Sequence, residues 1–227
     1  REDDFKLYSI PDVDRYVNED ALKGDHFYFN SSMYVVSQMR STNNYGNYAV
    51  NDYAYEEAVY NNKGRGFQGF RTIRVKSNPS EGSVYETTSE SVFHQVFPIA
   101  GKLESITITQ KDPNDIDMPI DDVIASHEFY CYKMKDVQFD TCDKDFNGYN
   151  VLPSEYVFVP LIYKHSSKNE INTDTLFSES ILNINEYDNY GNIKDQTNTV
   201  ISHLQNSTRT KTEQTINSYL IGNKEID

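Results

Sequence analysis

This sequence predicts an all-β fold of antiparallel strands and hairpins, and three observations carry that expectation. Apolar residues alternate with polar ones in segment after segment, the period of a half-buried strand. The aromatic content is 18 Tyr and 12 Phe with no Trp, and tyrosine suits a pleated surface, with an apolar ring and a wet tip. Glycine turns punctuate the chain. Asn44-Tyr45-Gly46-Asn47 recurs as Asn189-Tyr190-Gly191-Asn192, with a cousin at Phe146-Asn147-Gly148-Tyr149. In each, Gly supplies the positive φ of a tight hairpin turn. The tetrapeptide follows no short fixed period, so the pattern is a run of hairpins and no strict solenoid.

Taken in order, alternation predicts strands over Tyr34 to Met39, Tyr48 to Tyr55 and Phe70 to Lys76. Leu103 to Thr109 places both isoleucines on one face and both threonines on the other. Tyr156 to Tyr163 is apolar on both faces, as in a strand covered on two sides, and its Pro160 assigns it an edge or a bulge. Ile181 to Tyr187 and Thr208 to Leu220 read as extended again. Only Pro119 to Ser126 and Asn18 to Lys23 suit short helical turns. The stretch from Lys111 to Asp122 holds two prolines and five aspartates and reads as a surface loop. It either divides the chain into two lobes or interrupts one sheet system as an insertion. The organisation expected is a lead-in over 1–33, a β-rich section over 34–222 with the acidic loop at 111–122, and a tail over 223–227.

At 227 residues the chain is long enough for a sizeable core. No stretch approaches the roughly 18 apolar residues of a membrane span. Arg1-Glu2-Asp3-Asp4 is neither a start methionine nor a signal peptide, and the piece reads as excised from a longer polypeptide. With 21 basic against 35 acidic side chains the net charge is −14. Such a surface repels phosphate backbones, which sets nucleic acid aside as a partner. Cys131 and Cys142 are the only cysteines. They either pair across a hairpin or stay as buried free thiols, and one pair does not mark a disulfide scaffold.

Gly64-Arg65-Gly66-Phe67-Gln68-Gly69-Phe70-Arg71 is the most informative segment. Gly64, Gly66 and Gly69 have the spacing of a dinucleotide-binding loop, which needs a strand before it and a helix after it. Here the approach, Tyr60 to Lys63, is a polar turn. The exit alternates, with Ile73 and Val75 on one face and Thr72, Arg74 and Lys76 on the other. The glycines therefore shape a loop or bulge between strands, with Phe67 and Phe70 as apolar anchors.

Two motifs carry a family resemblance. Tyr187-Asp188-Asn189-Tyr190-Gly191-Asn192 resembles the YD repeat, Tyr-Asp-x-x-Gly-Asn, of the RHS/YD-repeat family. Physically, Tyr187 closes a strand, Asp188 accepts backbone N–H bonds across the turn, Gly191 takes the strained dihedral and Asn192 restarts the ladder. The run from Tyr55 to Arg71 resembles the GRGFLGF signature of the B components of Tc insecticidal toxin complexes and related virulence-plasmid proteins. A following Phe-Pro turn is matched by Val96 to Lys102, and Thr215 to Gly222 resembles the run leading into further repeats. Gln68 departs from an expected apolar residue. The resemblance implies one wall section of a hollow β-shell around an enclosed C-terminal effector domain, delivered through a toxin-complex channel subunit. Its partners would be the remainder of its own shell, that effector and the channel, and it would act outside the producing cell or at its surface. Turnover is not implied. The family's self-cleaving carboxylates lie further along the full protein, and none is carried over.

Site chemistry adds little. His26, His94, His127, His165 and His203 are scattered, without the i, i+4 spacing of a zinc helix. Asp143, Asp145 and Asn147, followed by Gly148, open like a calcium loop, but the closing acid falls due at Ser154, with Glu155 one residue late. No nucleophile motif is present, and no cofactor is expected. The rival reading is an adhesion or carbohydrate-binding β-domain presenting exposed tyrosines.

Overall fold

The computed structural model describes residues 8–9, 26–42, 48–78, 86–95, 97–111, 123–134, 137–142, 161–170, 176–204, 207–221 and 224–226. Among them are strands, turns and extended connections and no helix. The all-β, antiparallel hairpin fold read from the alternation is the fold observed. The chain divides into two units, Arg1–Ala125 and Ser126–Asp227, just past the acidic stretch.

The first unit is organised by one long strand. β1 is Tyr8–Ser9, β2 His26–Tyr28, β3 Gln38–Thr42, β4 Tyr48–Asn61, β5 Gly66–Asn78, β6 Glu86–Phe93 and β7 Leu103–Lys111. One edge of β4 pairs antiparallel with β5 from Val50↔Asn78 to Asn61↔Gly66. The other edge is shared by three short strands in succession. β3 takes Tyr48 to Asp52, β1 runs parallel at Tyr55 and Glu56, and β2 takes Val59 to Asn61. From β5 the sheet continues by antiparallel pairing to β6 and then β7. Arg74 on β5 is bracketed by Glu56 on β4 and Glu90 on β6, and Lys76 pairs with Glu86 at 2.9 Å. These partly exposed pairs favour the cross-strand register, each by only about 1 kcal/mol or less. Burial is deepest near the β4–β5 turn, where Ala58 and Val59 are both 0% exposed. Adjacent residues of a strand point to opposite faces, so both faces are covered there.

The second unit holds β8 (Val123–Met134) from Ser126 onward, β9 (Val137–Asp140), β10 (Leu161–Glu170), β11 (Leu176–Tyr187), β12 (Ile193–Leu204) and β13 (Ser207–Ile216). β8, β10, β11, β12 and β13 pair antiparallel in that order, and β9 lies on β8. A small hairpin follows, β14 (Tyr219–Ile221) with β15 (Lys224–Ile226). Cys131, Tyr132 and Ile184 are the buried apolar residues of this unit among those described. Cys131 and Cys142 form a disulfide, with Cα atoms 5.5 Å apart, which resolves the choice between bridge and free thiols.

Several expectations need correction. The strand read over Tyr34 to Met39 begins only at Gln38, where pairing with β4 starts; Met33, Tyr34 and Val36 are exposed and their alternation faces no core. The helical turn read over Pro119 to Ser126 fails in its described part, where Val123 to Ser126 open β8; pairing with a neighbour overrides a weak local signal. The long extended run from Thr208 breaks at Asn217 and Ser218. β6 escaped the reading because its polar residues occupy both faces. The helical turn expected at 18–23, the first and third glycine turns and the candidate calcium residues Asp143, Asp145 and Asn147 lie outside the described residues.

Ile99, 0% exposed, is with Val59 a fully buried large side chain among the described residues. Ile99→Ala is expected to lower unfolding free energy by about 2–5 kcal/mol, read as a fall in the urea midpoint at unchanged slope. A shift of under about 1 kcal/mol would remove it from the core.

Candidate functional site

The glycine segment and the Phe-Pro segment, some thirty residues apart in sequence, meet at the end of the β4–β5 hairpin. The turn itself occupies residues 62–65. Gly64, Gly66 and Gly69 sit at φ +89°, +70° and +93°, where a Cβ is strained whatever the space around it. A side chain at Gly66 would meet only the Tyr60 hydroxyl, 4.0 Å away, so its constraint is the dihedral and not crowding. Strands flank the segment on both sides, and no helix N-terminus is available to hold a pyrophosphate.

Gln68, which the family pattern would make apolar, donates to the carbonyls of Arg65 (3.1 Å) and Gly66 (3.0 Å) and holds the turn shut. Arg65 lays its guanidinium over the Phe97 ring at 3.5 Å. Phe67 and Phe70 anchor an aromatic cluster. Phe67 lies 5.6 Å from Phe29 and 5.7 Å from Phe70, and Phe70 lies 4.7 Å from Tyr55. Phe67 remains 43% exposed, so it anchors by ring contact at the surface and not by burial.

Sequence reasoning missed the residue that joins the two segments. Gln95, 2% exposed, donates through Nε2 to the carbonyls of Glu57 and Gly69. Glu57 is the one described non-glycine at positive φ, +53°. Gln95 therefore satisfies carbonyl oxygens on both strands where the hairpin bends. Nothing in the run His94-Gln95-Val96 marks a buried glutamine, because the groups it serves are distant in sequence. Alongside it, His94 Nδ1 lies 3.5 Å from Glu104, and Arg71 bonds both Glu104 and the Phe93 carbonyl. Burial pushes the His94 imidazole down to about 4; Glu104 opposes the shift and Arg71 adds to it.

The second turn closes differently. Asp188 Oδ1 accepts the backbone N–H groups of Tyr190 and Asn192, both at 2.8 Å, and Oδ2 accepts the Asn192 side-chain amide at 2.8 Å. The Asn192 amide and those N–H groups hold the Asp188 carboxyl below its usual range. Gly191 takes φ +86°, and the Tyr187 hydroxyl donates to the Ile162 carbonyl on β10. Asn192 is spent on Asp188, so the ladder resumes one residue later, at Ile193. On β8 and β10, Tyr130 donates to Glu128 at 2.7 Å and stacks on His165. Burial, then Glu128, pushes the Tyr130 phenol up to about 12, so it stays protonated. Among the described residues no three His, Cys, Asp or Glu side chains group to hold a metal.

Residues 23–99 match the family described as the insecticide toxin TcdB middle/N-terminal region. Over that third of its length, the chain is similar to TcdB. The matched stretch contains the whole glycine turn, Gln95 and Phe97. A chain of the Photorhabdus luminescens Tc holotoxin pore shares the fold, with TM-score 0.52 and 10% identity over 71% of this chain. This chain spans 9% of the length of that one. No curated protein matches it. The family match and the shared fold support a relation to the insecticidal toxin complexes.

Two outcomes are expected. Gly66→Val, forcing a β-branched residue to φ +70°, should destabilise the first unit by about 2 kcal/mol, seen as a lower melting temperature; unchanged melting and solubility would remove the turn's structural role. The folded-state value of His94 near 4 lies below the ordinary 6.5. The unfolded chain therefore binds the extra proton first, and stability is complete above about pH 6.5 and falls towards pH 4, by up to about 3 kcal/mol. His94→Gln should flatten that part of the pH–stability curve, and equal slopes for both chains would show that His94 does not set it.

Proposed function

We propose that this chain is a non-enzymatic wall section of a bacterial toxin-complex protein, a part of a β-shell that encloses an effector domain and helps deliver it. One observation carries the reading. The side chains of the TcdB-matched stretch with specific roles are spent on the fold itself: Gln68 and Gln95 on backbone carbonyls, Arg65 on Phe97, Phe67 and Phe70 on neighbouring rings. Such a stretch is kept for its shape. The shared fold with a chain of the Tc holotoxin pore supports the same reading. On it, the partners are the remaining shell, the enclosed effector and a channel subunit of the complex, and the place of action is outside the producing cell.

The binding-module reading leans on exposed tyrosines, Tyr34, Tyr48 and Tyr190, at 105%, 61% and 67% exposure. Electron microscopy of the longer polypeptide that the shell reading requires separates the two. The expected result places these strands in the wall of a closed, hollow β-structure. A free-standing domain with an aromatic groove that binds glycans on an array would replace the shell with the binding module.

A further inference from the structure

We infer that the Cys131–Cys142 bridge is a reducible clasp, opened by thiolate attack at Cys142, the exposed residue of the pair, which frees β9 and its following turn from the edge of β8. The two cysteines are unequal. Cys131 lies within β8 and is 4% exposed, while Cys142 sits in an exposed turn eleven residues on. An attacking thiolate therefore reaches Cys142 and not Cys131.

Among the described residues, a short ladder and a few hydrogen bonds hold the strand that the bridge retains. β9 is four residues long and meets β8 at Lys133↔Asp140 and Met134↔Val137, with a register shift between them. Beyond it, the Thr141 N–H donates to the Tyr132 carbonyl at 3.0 Å, and the Tyr132 N–H donates to Thr141 Oγ1 at 2.9 Å. Asp140 Oδ1 accepts from the Cys142 N–H at 2.8 Å and from the Tyr163 hydroxyl at 2.6 Å. Each such bond adds little net stability, since water replaces it on opening. β8 itself does not depend on the clasp, because β10 pairs along its other edge from Asn169↔Ser126 to Leu161↔Lys133. Opening is therefore local. It uncovers the backbone edge of β8 around Tyr132.

The step balances with a dithiol as reductant. Its thiolate bonds to Cys142 Sγ as the Cys131–Cys142 bond breaks, and Cys131 leaves as a thiolate that takes a proton. The second thiol of the reductant then displaces Cys142 and forms the oxidised dithiol. Two electrons pass to the cysteine pair, and two thiols result.

The test treats the oxidised, folded chain with dithiothreitol and follows alkylation by iodoacetamide together with amide hydrogen exchange. Both cysteines should become alkylated, and exchange over 137–142 should rise about a hundredfold, while β11 and β12 keep their protection. Cys142→Ser should show the open exchange pattern without reductant and no response to it. If that variant does not fold, reduction of the unaltered chain decides alone. Retained protection over 137–142 after both thiols are alkylated would overturn the clasp. So would a bridge that resists the dithiol in the folded chain, or loss of protection across β11 and β12 as well.

Discussion

Backbone carbonyls at a bend in a β-ladder must find donors, and in the first unit that requirement organises everything around the β4–β5 hairpin. Glu57 and Gly69 both sit at positive φ, one on each strand, and the register shifts by one residue between Val59 and Tyr60. Leaving such oxygens buried and unmet costs about 1–3 kcal/mol each. Gln95 meets both with a single amide, and by doing so it brings the loop after β6 under the hairpin. Ile99 is then buried, and Phe97 comes within reach of Arg65. Two motifs that look independent along the chain are parts of one packed corner.

The Asp188 turn solves the same problem within itself. One carboxylate bonds three donors from the next four residues, and no distant side chain is needed. This difference has a physical consequence. A locally closed turn can be transplanted between hairpins, which suits a motif that recurs, whereas the Gln95 corner works only where a particular loop follows a particular hairpin. The TcdB match, over residues 23–99, spans the second kind of structure.

Electrostatics in this acidic chain serve the same architecture. Arg74 and Arg71 each bridge neighbouring strands through carboxylates, and His94 is kept neutral beside Glu104 and Arg71. Their placement favours a toxin-complex component whose contribution is shape, as proposed above.

The sequence by itself determined the all-β class, the hairpin organisation, a glycine-shaped loop or bulge at Gly64, Gly66 and Gly69, the strained dihedral at Gly191, and the role of Asp188 in its turn. All of these are local: period-two alternation, glycine dihedrals and an Asx turn are set within a few residues. The tertiary structure decided what lies far apart in the chain. It alone showed that Gln95 bonds across both strands of the hairpin, and that three short strands share one edge of β4. It alone showed that Cys131 and Cys142 are bonded, that Val123 to Ser126 is strand, and that Tyr34 to Val36 faces solvent. Those outcomes depend on which neighbour supplies a donor, an edge or a cover, and a single sequence carries no local trace of its neighbours.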